Sequence, residues 1–155
     1  MLRLSKLTDY AVVVLTRLAP DGGAAPSGPL QNAFSLAGET GIAEPTVAKV
    51  LKLLAQAGLV EGVRGPRGGY RLTRPMASVP LSDIIVAIDG PIALTACVDG
   101  GTGMCEAEGI CPVRGRWDPV NDAIRRALSG ITLADLAPPP RRRPAPSAAL
   151  HALAE

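Results

Sequence analysis

The chain has 155 residues, of which 47% are hydrophobic and 3% aromatic, and 16 lysines and arginines against 14 aspartates and glutamates give a net charge of +2. This length suits one folded unit with a few further helices and leaves little room for a second independent domain. No apolar run reaches the roughly 18 residues that span a bilayer, and the first residues lack the pattern of an export signal. We therefore expect a cytoplasmic protein with no membrane segment.

Basic residues concentrate in one stretch of the chain, although the whole chain is almost neutral. Between Pro45 and Arg74 only Glu61 opposes them. Such a local excess of positive charge is typical of a surface that faces phosphate groups. The basic residues of this stretch are Lys49, Lys52, Arg64, Arg67, Arg71 and Arg74.

Three helices are predicted before residue 58. Apolar residues recur there at three- and four-residue spacing, which gives a helix one stripe for burial. Ser5 and Asn32 can cap the first and second helices, whereas Glu44 is a poor cap for the third. Gly41 permits the sharp turn between the second helix and the third. The predicted ranges are 5–19, 32–41 and 45–57.

Two more helices, a last helical turn and a tail are predicted in the second half of the chain. A short helix ends at the Asp-Gly-Pro sequence of residues 89–91. Pro119 either starts the next helix afresh or kinks a longer one that ends at Gly130. A final turn lies between Thr132 and Asp135. The residues that follow include three successive prolines and three successive arginines, which is typical of a disordered tail.

Two predicted strands and the helices before them indicate a winged helix-turn-helix. The strands cover residues 59–64 and 69–73 and are joined by a glycine-rich tip, as in a hairpin. Ala37, Gly41 and Val47 have the spacing of a helix-turn-helix: a small residue where helices pack, a glycine in the turn and an apolar anchor. The predicted fold class is therefore mainly α with a small β-hairpin wing.

This module predicts how the chain binds double-stranded DNA. The third helix enters the major groove, where Thr46 and Lys49 reach base edges and Lys52 meets phosphate. Arg64 reaches the minor groove from the wing, whose tip also carries Arg67. Thr46 and Lys49 are each as apt to touch phosphate as a base. The alternative is a helical hairpin whose basic residues bind protein instead.

All the cysteines of the chain lie in one glycine-rich stretch that we expect to be a loop. Structural disulfides rarely persist in a reducing compartment, so an odd set of thiols indicates metal binding or redox sensing. Gaps of seven and five residues lack the paired knuckles of structural zinc and suit a soft metal or an iron-sulfur cluster. Redox-active thiols are the alternative. The residues are Cys97, Cys105 and Cys111.

A cluster at these thiols needs a further ligand, which the residues leave open. The one histidine of the sequence is His151, in the predicted tail, so no histidine of the folded body can complete the site. The candidates are Glu106 and Glu108 in the loop, Asp9 in the first helix, and solvent. Asp9 falls on the side of its helix opposite the apolar stripe, where it is free to face a second subunit.

An enzyme is not expected. The folded body offers no histidine as a general base, and no phosphate-cradling glycine motif occurs in the sequence. Catalysis by the cysteines as nucleophile or redox centre therefore has no supporting residues.

The chain resembles the Rrf2 family of regulators over roughly residues 1–136. Known types of this family include the iron-sulfur cluster regulator IscR and the nitric-oxide sensor NsrR. The motifs that carry the resemblance lie in the first and third helices, the wing, the cysteine loop and the last turn. They are Leu4-Ser5-Lys6, Asp9-Tyr10-Ala11, Glu44-Pro45-Thr46-Val47, Val63-Arg64-Gly65-Pro66, Gly68-Gly69-Tyr70, the three cysteines and Ile131-Thr132-Leu133-Ala134-Asp135-Leu136.

The resemblance implies a homodimer formed through the long helix after the cysteines, a pseudo-palindromic operator, and an iron-sulfur cluster held by the three thiols. We expect a 2Fe-2S cluster, with 4Fe-4S as the alternative. Within the family the chain is most similar to the regulators that accompany the SUF cluster-assembly genes. It is therefore expected to sense cluster status and control those genes. The alternatives are a repressor of the same fold that senses nitric oxide or oxidants, and a DNA-binding protein with inert cysteines.

One position departs from the cluster regulator of the family. Where that regulator has a histidine ligand, three residues after the last cysteine, this chain has Arg114. The nitric-oxide sensor has an aspartate ligand from the partner subunit at the position of Asp9. By that resemblance Asp9 is predicted to complete the site in trans. The expected organisation is a DNA-binding domain in residues 1–80, the cluster loop and dimerisation helix in residues 81–136, and the tail in residues 137–155.

Overall fold

A computed structural model of the protein describes residues 3–19, 28–101, 105–106 and 109–138. Within these ranges the chain forms helices and one two-stranded antiparallel sheet, and no described helix is long and apolar enough to cross a membrane. Glu108, His151 and the arginines of the predicted tail lie outside the described residues. The elements are α1 Lys6–Leu18, α2 Ala33–Thr40, α3 Glu44–Gln56, β1 Val60–Val63, β2 Gly69–Leu72, a 3-10 turn Met76–Ser78, α4 Leu81–Asp89, α5 Asp118–Ser129 and α6 Leu133–Leu136.

Side chains at the predicted positions cap the starts of the first two helices, and a glycine ends the second. The Ser5 hydroxyl accepts a hydrogen bond from the Thr8 N–H at 3.1 Å, and the side-chain Oδ1 of Asn32 accepts one from the Ser35 N–H at 2.8 Å. Gly41 has a φ of 72°, in the left-handed region that a helix end of this kind requires. These caps confirm the bounds of α1 and α2 to within one residue.

Helix α3 starts one residue earlier than the sequence predicts, because Ala43 and not Glu44 holds the cap position. Ala43 makes no side-chain cap hydrogen bond, and Pro45 in the first turn supplies a helical φ instead. Glu44 is thus the first helical residue, where its carboxylate lies at the positive end of the helix dipole. This position explains why a poor capping residue is tolerated there.

The core lies where α1, α2, α3 and α4 meet, with the hairpin at one edge. Leu15, Leu36 and Leu51 are fully buried and come from three different helices. Burial of each such side chain contributes roughly 1.5–3 kcal/mol. The inward stripe predicted for α3 is confirmed, since its members are fully buried: Val47, Val50, Leu51 and Leu54.

The wing is a hairpin with a third short segment attached. β1 pairs with β2 so that Val60 lies opposite Leu72. The Gln31 N–H donates to the Tyr70 carbonyl at 3.0 Å, and the Tyr70 N–H donates to the Gln31 carbonyl at 2.8 Å. Gly69 lies so close to Gln31 that an added Cβ would be 2.8 Å from its carbonyl. This bridge, which the sequence did not predict, ties the wing to the segment that enters α2.

The last two helices begin at local signals that the sequence contains. Pro119 lies in the first turn of α5, which starts at Asp118, so the proline starts this helix and does not kink a longer one. Before α6, the Asp135 carboxylate accepts from the backbone and hydroxyl of Thr132, and these bonds hold the pKa of Asp135 below its ordinary value. Leu133 anchors α6 in the core, because it is fully buried.

Gly69→Ala is expected to lower the free energy of unfolding by about 1–3 kcal/mol, because the added methyl group must push the wing away from Gln31. Urea unfolding followed by circular dichroism measures the change. Gly38 in α2 is the matched control, since, apart from its chain neighbours and its own helix backbone, no atom of the described residues lies within 4 Å of a Cβ added there. Gly38→Ala is expected to stabilise the helix by up to about 1 kcal/mol. Equal effects of the two substitutions would contradict the close approach at Gly69.

Candidate DNA interface and cysteine segment

The side of α3 turned away from the core carries three of the residues predicted to contact DNA. Lys49 and Lys52 are exposed, and Thr46 is half-buried in the first turn. Neither lysine forms an ion pair or a side-chain hydrogen bond with the part of the chain that the structure describes. Both charges are therefore available to a bound anion.

The tip of the wing presents two further positive charges. Arg64 and Arg67 are exposed, and neither has an ion-pair partner among the described residues. Gly65 between them has a φ of 123°, which lets the backbone turn sharply at the tip. The arginines thus project from a tight turn rather than from a long flexible loop.

The other two arginines of the basic stretch are neutralised by acids. Arg71 forms an ion pair with Glu61, which lies directly opposite it in the hairpin. Arg74 forms one with Asp83 of α4, at 2.6 Å between nitrogen and oxygen. Four basic residues of the predicted surface therefore keep an unpaired charge in the described structure. They are Lys49, Lys52, Arg64 and Arg67.

The three cysteines lie in the irregular segment between α4 and α5, as the sequence predicts. Cys97, Cys105 and Cys111 are half-buried and form no disulfide. The Thr95 hydroxyl lies 3.3 Å from the sulfur of Cys97. Among the residues that the structure describes, no three histidine, cysteine, aspartate or glutamate side chains converge closely enough to hold a metal ion.

The donor chemistry of this segment fits an iron-sulfur cluster. Cysteine thiolates are the usual ligands of such clusters, and all three sulfurs belong to one stretch of the chain. A Cβ added at Gly101 would lie 2.5 Å from the carbonyl oxygen of Ala96, so the backbone folds back tightly just after Cys97. Because the described side chains do not converge on a metal site, binding of a cluster would have to bring the three sulfurs together, and metal binding is commonly coupled to folding in this way.

Two of the candidate fourth ligands can be placed. Glu106 is exposed beside Cys105, and Asp9 is exposed in the first turn of α1, as its position in the helix predicts. The Asp9 carboxylate has no hydrogen-bond or ion-pair partner within the described ranges. Its oxygens are therefore available to a second subunit.

The end of α4 is tied to the start of α1, next to Asp9. The carboxylate of Asp89 accepts hydrogen bonds from the Thr8 hydroxyl at 2.7 Å and from the Ser5 N–H at 3.4 Å. Thr8 is fully buried, whereas Asp89 is exposed, so the carboxylate reaches from the surface to a buried hydroxyl. Because the residues that lead to Cys97 follow Asp89 directly, the cysteine segment starts from a point fixed on α1.

Asn121 also contacts this segment, and sequence reasoning missed it. Its side-chain carbonyl accepts from the Leu94 N–H at 3.0 Å, and its amino group donates to the Ile92 carbonyl at 3.2 Å. The available signal was its spacing, because Asn121 shares a helix face with Trp117 and Ile124. A polar residue within an apolar stripe often forms a buried hydrogen bond.

The apolar side of α5 is only partly covered by the described chain. Asn121 is the sole residue of this helix that is buried. Trp117 and Val120 expose 41% and 44% of their surface, and Val113 just before the helix exposes 46%. Neighbouring exposed apolar side chains of this kind mark an interaction surface.

Comparison with known proteins shows the family of the chain. The Rrf2 family profile, described as iron-dependent transcriptional regulator, matches residues 4–139. Protein aau3 of Rhizobium meliloti (strain 1021) is 33% identical over 135 residues, which cover 87% of this chain and 84% of that protein. The HTH-type transcriptional regulator IscR of Escherichia coli (strain K12 / DH10B) is 30% identical over 135 residues, covering 87% and 80%.

A solved structure agrees with this assignment. CymR, the global cysteine regulator of B. subtilis, superposes with a TM-score of 0.66 and 29% identity, over 88% of this chain and 97% of that one. The family, the relative IscR and the solved structure CymR are regulators and not enzymes. The expected helical fold with a β-hairpin wing is confirmed. The chain therefore belongs to the Rrf2 family of winged-helix, DNA-binding transcriptional regulators.

Proposed function

We propose that the protein is a homodimeric regulator that binds a pseudo-palindromic operator and senses iron-sulfur cluster status, with SUF-type cluster-assembly genes as its targets. The observation that carries the sensing role is the set of three free, half-buried thiols in one segment between α4 and α5. The family description as iron-dependent supports it. In this proposal residues 1–80 bind DNA and residues 81–136 carry the cysteine segment and the dimer helix. The protein works in the cytoplasm, where thiols stay reduced.

DNA binding uses the outward side of α3 and the tip of the wing. In this arrangement Thr46 and Lys49, near the start of α3, reach base edges in the major groove, while Lys52 meets phosphate. Arg64 enters the minor groove and Arg67 lies beside it on the tip. The four cations are free of internal ion pairs within the described ranges, which supports this assignment.

Lys52→Ala is expected to weaken binding to any duplex. The slope of log binding constant against log salt should fall by about 0.9 for each phosphate that the protein no longer neutralises. Fluorescence anisotropy with a labelled duplex of arbitrary sequence, at several salt concentrations, measures the slope. Arg71→Ala is the matched control, because Arg71 is already paired with Glu61. A slope that is the same in Lys52→Ala and in the unaltered protein would rule out the phosphate contact.

Dimerisation uses the apolar side of α5. Trp117 and Val120 lie exposed at the start of this helix, and a second copy of the same surface would remove both from water. A two-fold axis between the copies places two α3 helices on half-sites about one turn of DNA, roughly 34 Å, apart. A pseudo-palindromic operator follows from that symmetry.

Val120→Glu is expected to shift the protein from dimer to monomer, because it places a charge in the apolar interface. Val120 is exposed in the single chain, so the helical content should stay unchanged. Light scattering gives the mass and circular dichroism the helical content. Asp122→Asn, on an exposed position of the same helix, is the control and should remain dimeric. A dimer that persists in Val120→Glu would place the interface elsewhere.

The cysteine segment is where a cluster would be held, through the thiolates of Cys97, Cys105 and Cys111. When bound, the cluster supplies a group whose presence depends on iron supply. The Thr95 hydroxyl donates to the sulfur of Cys97 once that thiol is ionised, because a thiolate can only accept. The segment is anchored on α1 and on α5, so its closing or opening biases both the DNA-binding part and the dimer helix.

Asp9 from a second subunit is proposed as the fourth ligand. Its exposed and unpartnered carboxylate, within the described part of the chain, supports this assignment. Solvent, Glu106 and Glu108 are the competing ligands. A ligand contributed across the dimer would couple occupation of the site to the relative position of the two subunits.

Cluster retention tests both the thiols and Asp9. Anaerobically purified protein is expected to be brown and to contain stoichiometric iron and sulfide. Cys105→Ala should abolish the brown colour and the iron and sulfide content, and Asp9→Ala should reduce them. Glu39→Ala, which removes an exposed carboxylate of α2, is the control and should change neither. Iron content and absorbance that are unchanged in Asp9→Ala would show that another ligand completes the site. A colourless protein that binds DNA even after anaerobic reconstitution would refute the cluster.

A second candidate is a repressor of the same fold that senses nitric oxide or oxidants. The partial exposure of all three thiols favours it, because reagents can reach them. Operator affinity is measured after exposing the cluster-loaded protein to a nitric-oxide donor, to peroxide or to an iron chelator. A response to the chelator alone supports cluster-status sensing, whereas a response to one of the other agents alone supports the second candidate.

A further inference from the structure

Asn121 is buried in α5 although its side chain is strongly polar. Only 1% of its surface is exposed. Burying an amide is unfavourable unless other partners replace its hydrogen bonds to water. Here both ends of the amide are satisfied, by the Leu94 N–H at 3.0 Å and the Ile92 carbonyl at 3.2 Å. Because both partners are backbone groups, Asn121 fixes the position of the chain at residues 92–94.

The chain that Asn121 holds leads directly to the first thiol. Thr95 follows it, and the Thr95 hydroxyl contacts the sulfur of Cys97 at 3.3 Å. On the other side of Cys97, the backbone folds so tightly that Gly101 has no room for a side chain next to Ala96. Cys97 therefore lies between residues 92–94, which Asn121 holds by hydrogen bonds, and the tight turn of the backbone at Gly101. Neither hydrogen bond of Asn121 reaches the part of the segment that carries the last thiol.

We propose that Asn121 is a positioning residue for Cys97, which sets how far this thiol can move and links it to α5. Asp89 holds the other end of the same stretch on α1 through Thr8. A displacement of Cys97 must therefore strain the hydrogen bonds to Asn121 and act on the helix that carries the exposed apolar surface. The role rests on the proposed function only in treating Cys97 as a sensing thiol.

Thiol labelling in metal-free protein tests this role without a cluster. Full-length Cys105→Ser/Cys111→Ser protein retains Cys97, and Cys97→Ser/Cys105→Ser protein retains Cys111. Labelling of each folded protein by iodoacetamide is followed by intact mass. Asn121→Ala is expected to raise the rate constant at Cys97 about tenfold, because loss of two hydrogen bonds populates locally open states. The rate constant at Cys111 should change by less than about twofold, since it lacks these bonds.

Arg125→Gln is the matched control, because Arg125 is exposed on the same helix and makes no hydrogen bond to the segment in the described structure. It should leave both rate constants unchanged. An unchanged rate at Cys97 in Asn121→Ala, or an equal increase at both thiols, would overturn the positioning role. The second of these outcomes would mean general loosening of the fold.

Asn121→Ser keeps the test decisive if circular dichroism shows that Asn121→Ala does not fold. Its hydroxyl and a water molecule in the vacated space can replace part of the hydrogen bonding. The rate constant at Cys97 is then expected to rise by a smaller factor, with no change at Cys111. An unchanged rate constant at Cys97, or an equal increase at Cys111, would refute the role. Absence of a cluster from the native protein would leave this labelling result intact. Cluster binding without a selective effect of Asn121 would refute the positioning role alone.

Discussion

Burial of one side of α3 is the interaction on which the rest of the structure depends. Val47, Val50 and Leu54 are fully buried, and α3 packs against α1, α2 and α4. Because a helix has fixed angular spacing, burying these residues leaves Lys49 and Lys52 on the opposite side. The same packing that stabilises the domain therefore orients the residues that are proposed to meet DNA. A shift of α3 against the helices that pack on it would move Lys49 and Lys52 together.

Charge pairing decides which basic residues remain available for DNA. Arg71 and Arg74 are held by acids of the hairpin and of α4, so they stabilise local contacts and contribute less to the outward potential. Of the basic residues between Pro45 and Arg74, those without an ion pair in the described structure lie on α3 and on the wing tip. The bridge formed by Gln31 and Tyr70 ties the wing to the helix-turn-helix. That bridge holds the wing at a set angle to α3. The two surfaces that are proposed to contact DNA are thereby kept in one orientation.

The cysteine segment is anchored near its start to two helices of the described structure. Asp89 joins it to α1, and Asn121 joins it to α5, whereas the thiols themselves stay half-buried and uncrosslinked. An anchored but open segment can close round a bound group without unfolding the core. The anchors lie on the helix of the DNA-binding core and on the helix with the exposed apolar side. In the proposed mechanism, a change at the thiols therefore acts on both helices.

The sequence by itself determined the elements and their ends, because helix periodicity, the caps at Ser5 and Asn32 and the proline that starts α5 act within a few residues along the chain. It also contained the motifs of the family and the set of thiols. Only the tertiary structure decided which polar groups meet across the fold. The contact of Asp89 with α1 joins residues 81 positions apart, and that of Asn121 with Leu94 joins residues 27 positions apart. Such pairs depend on how the helices pack, and no local pattern encodes that.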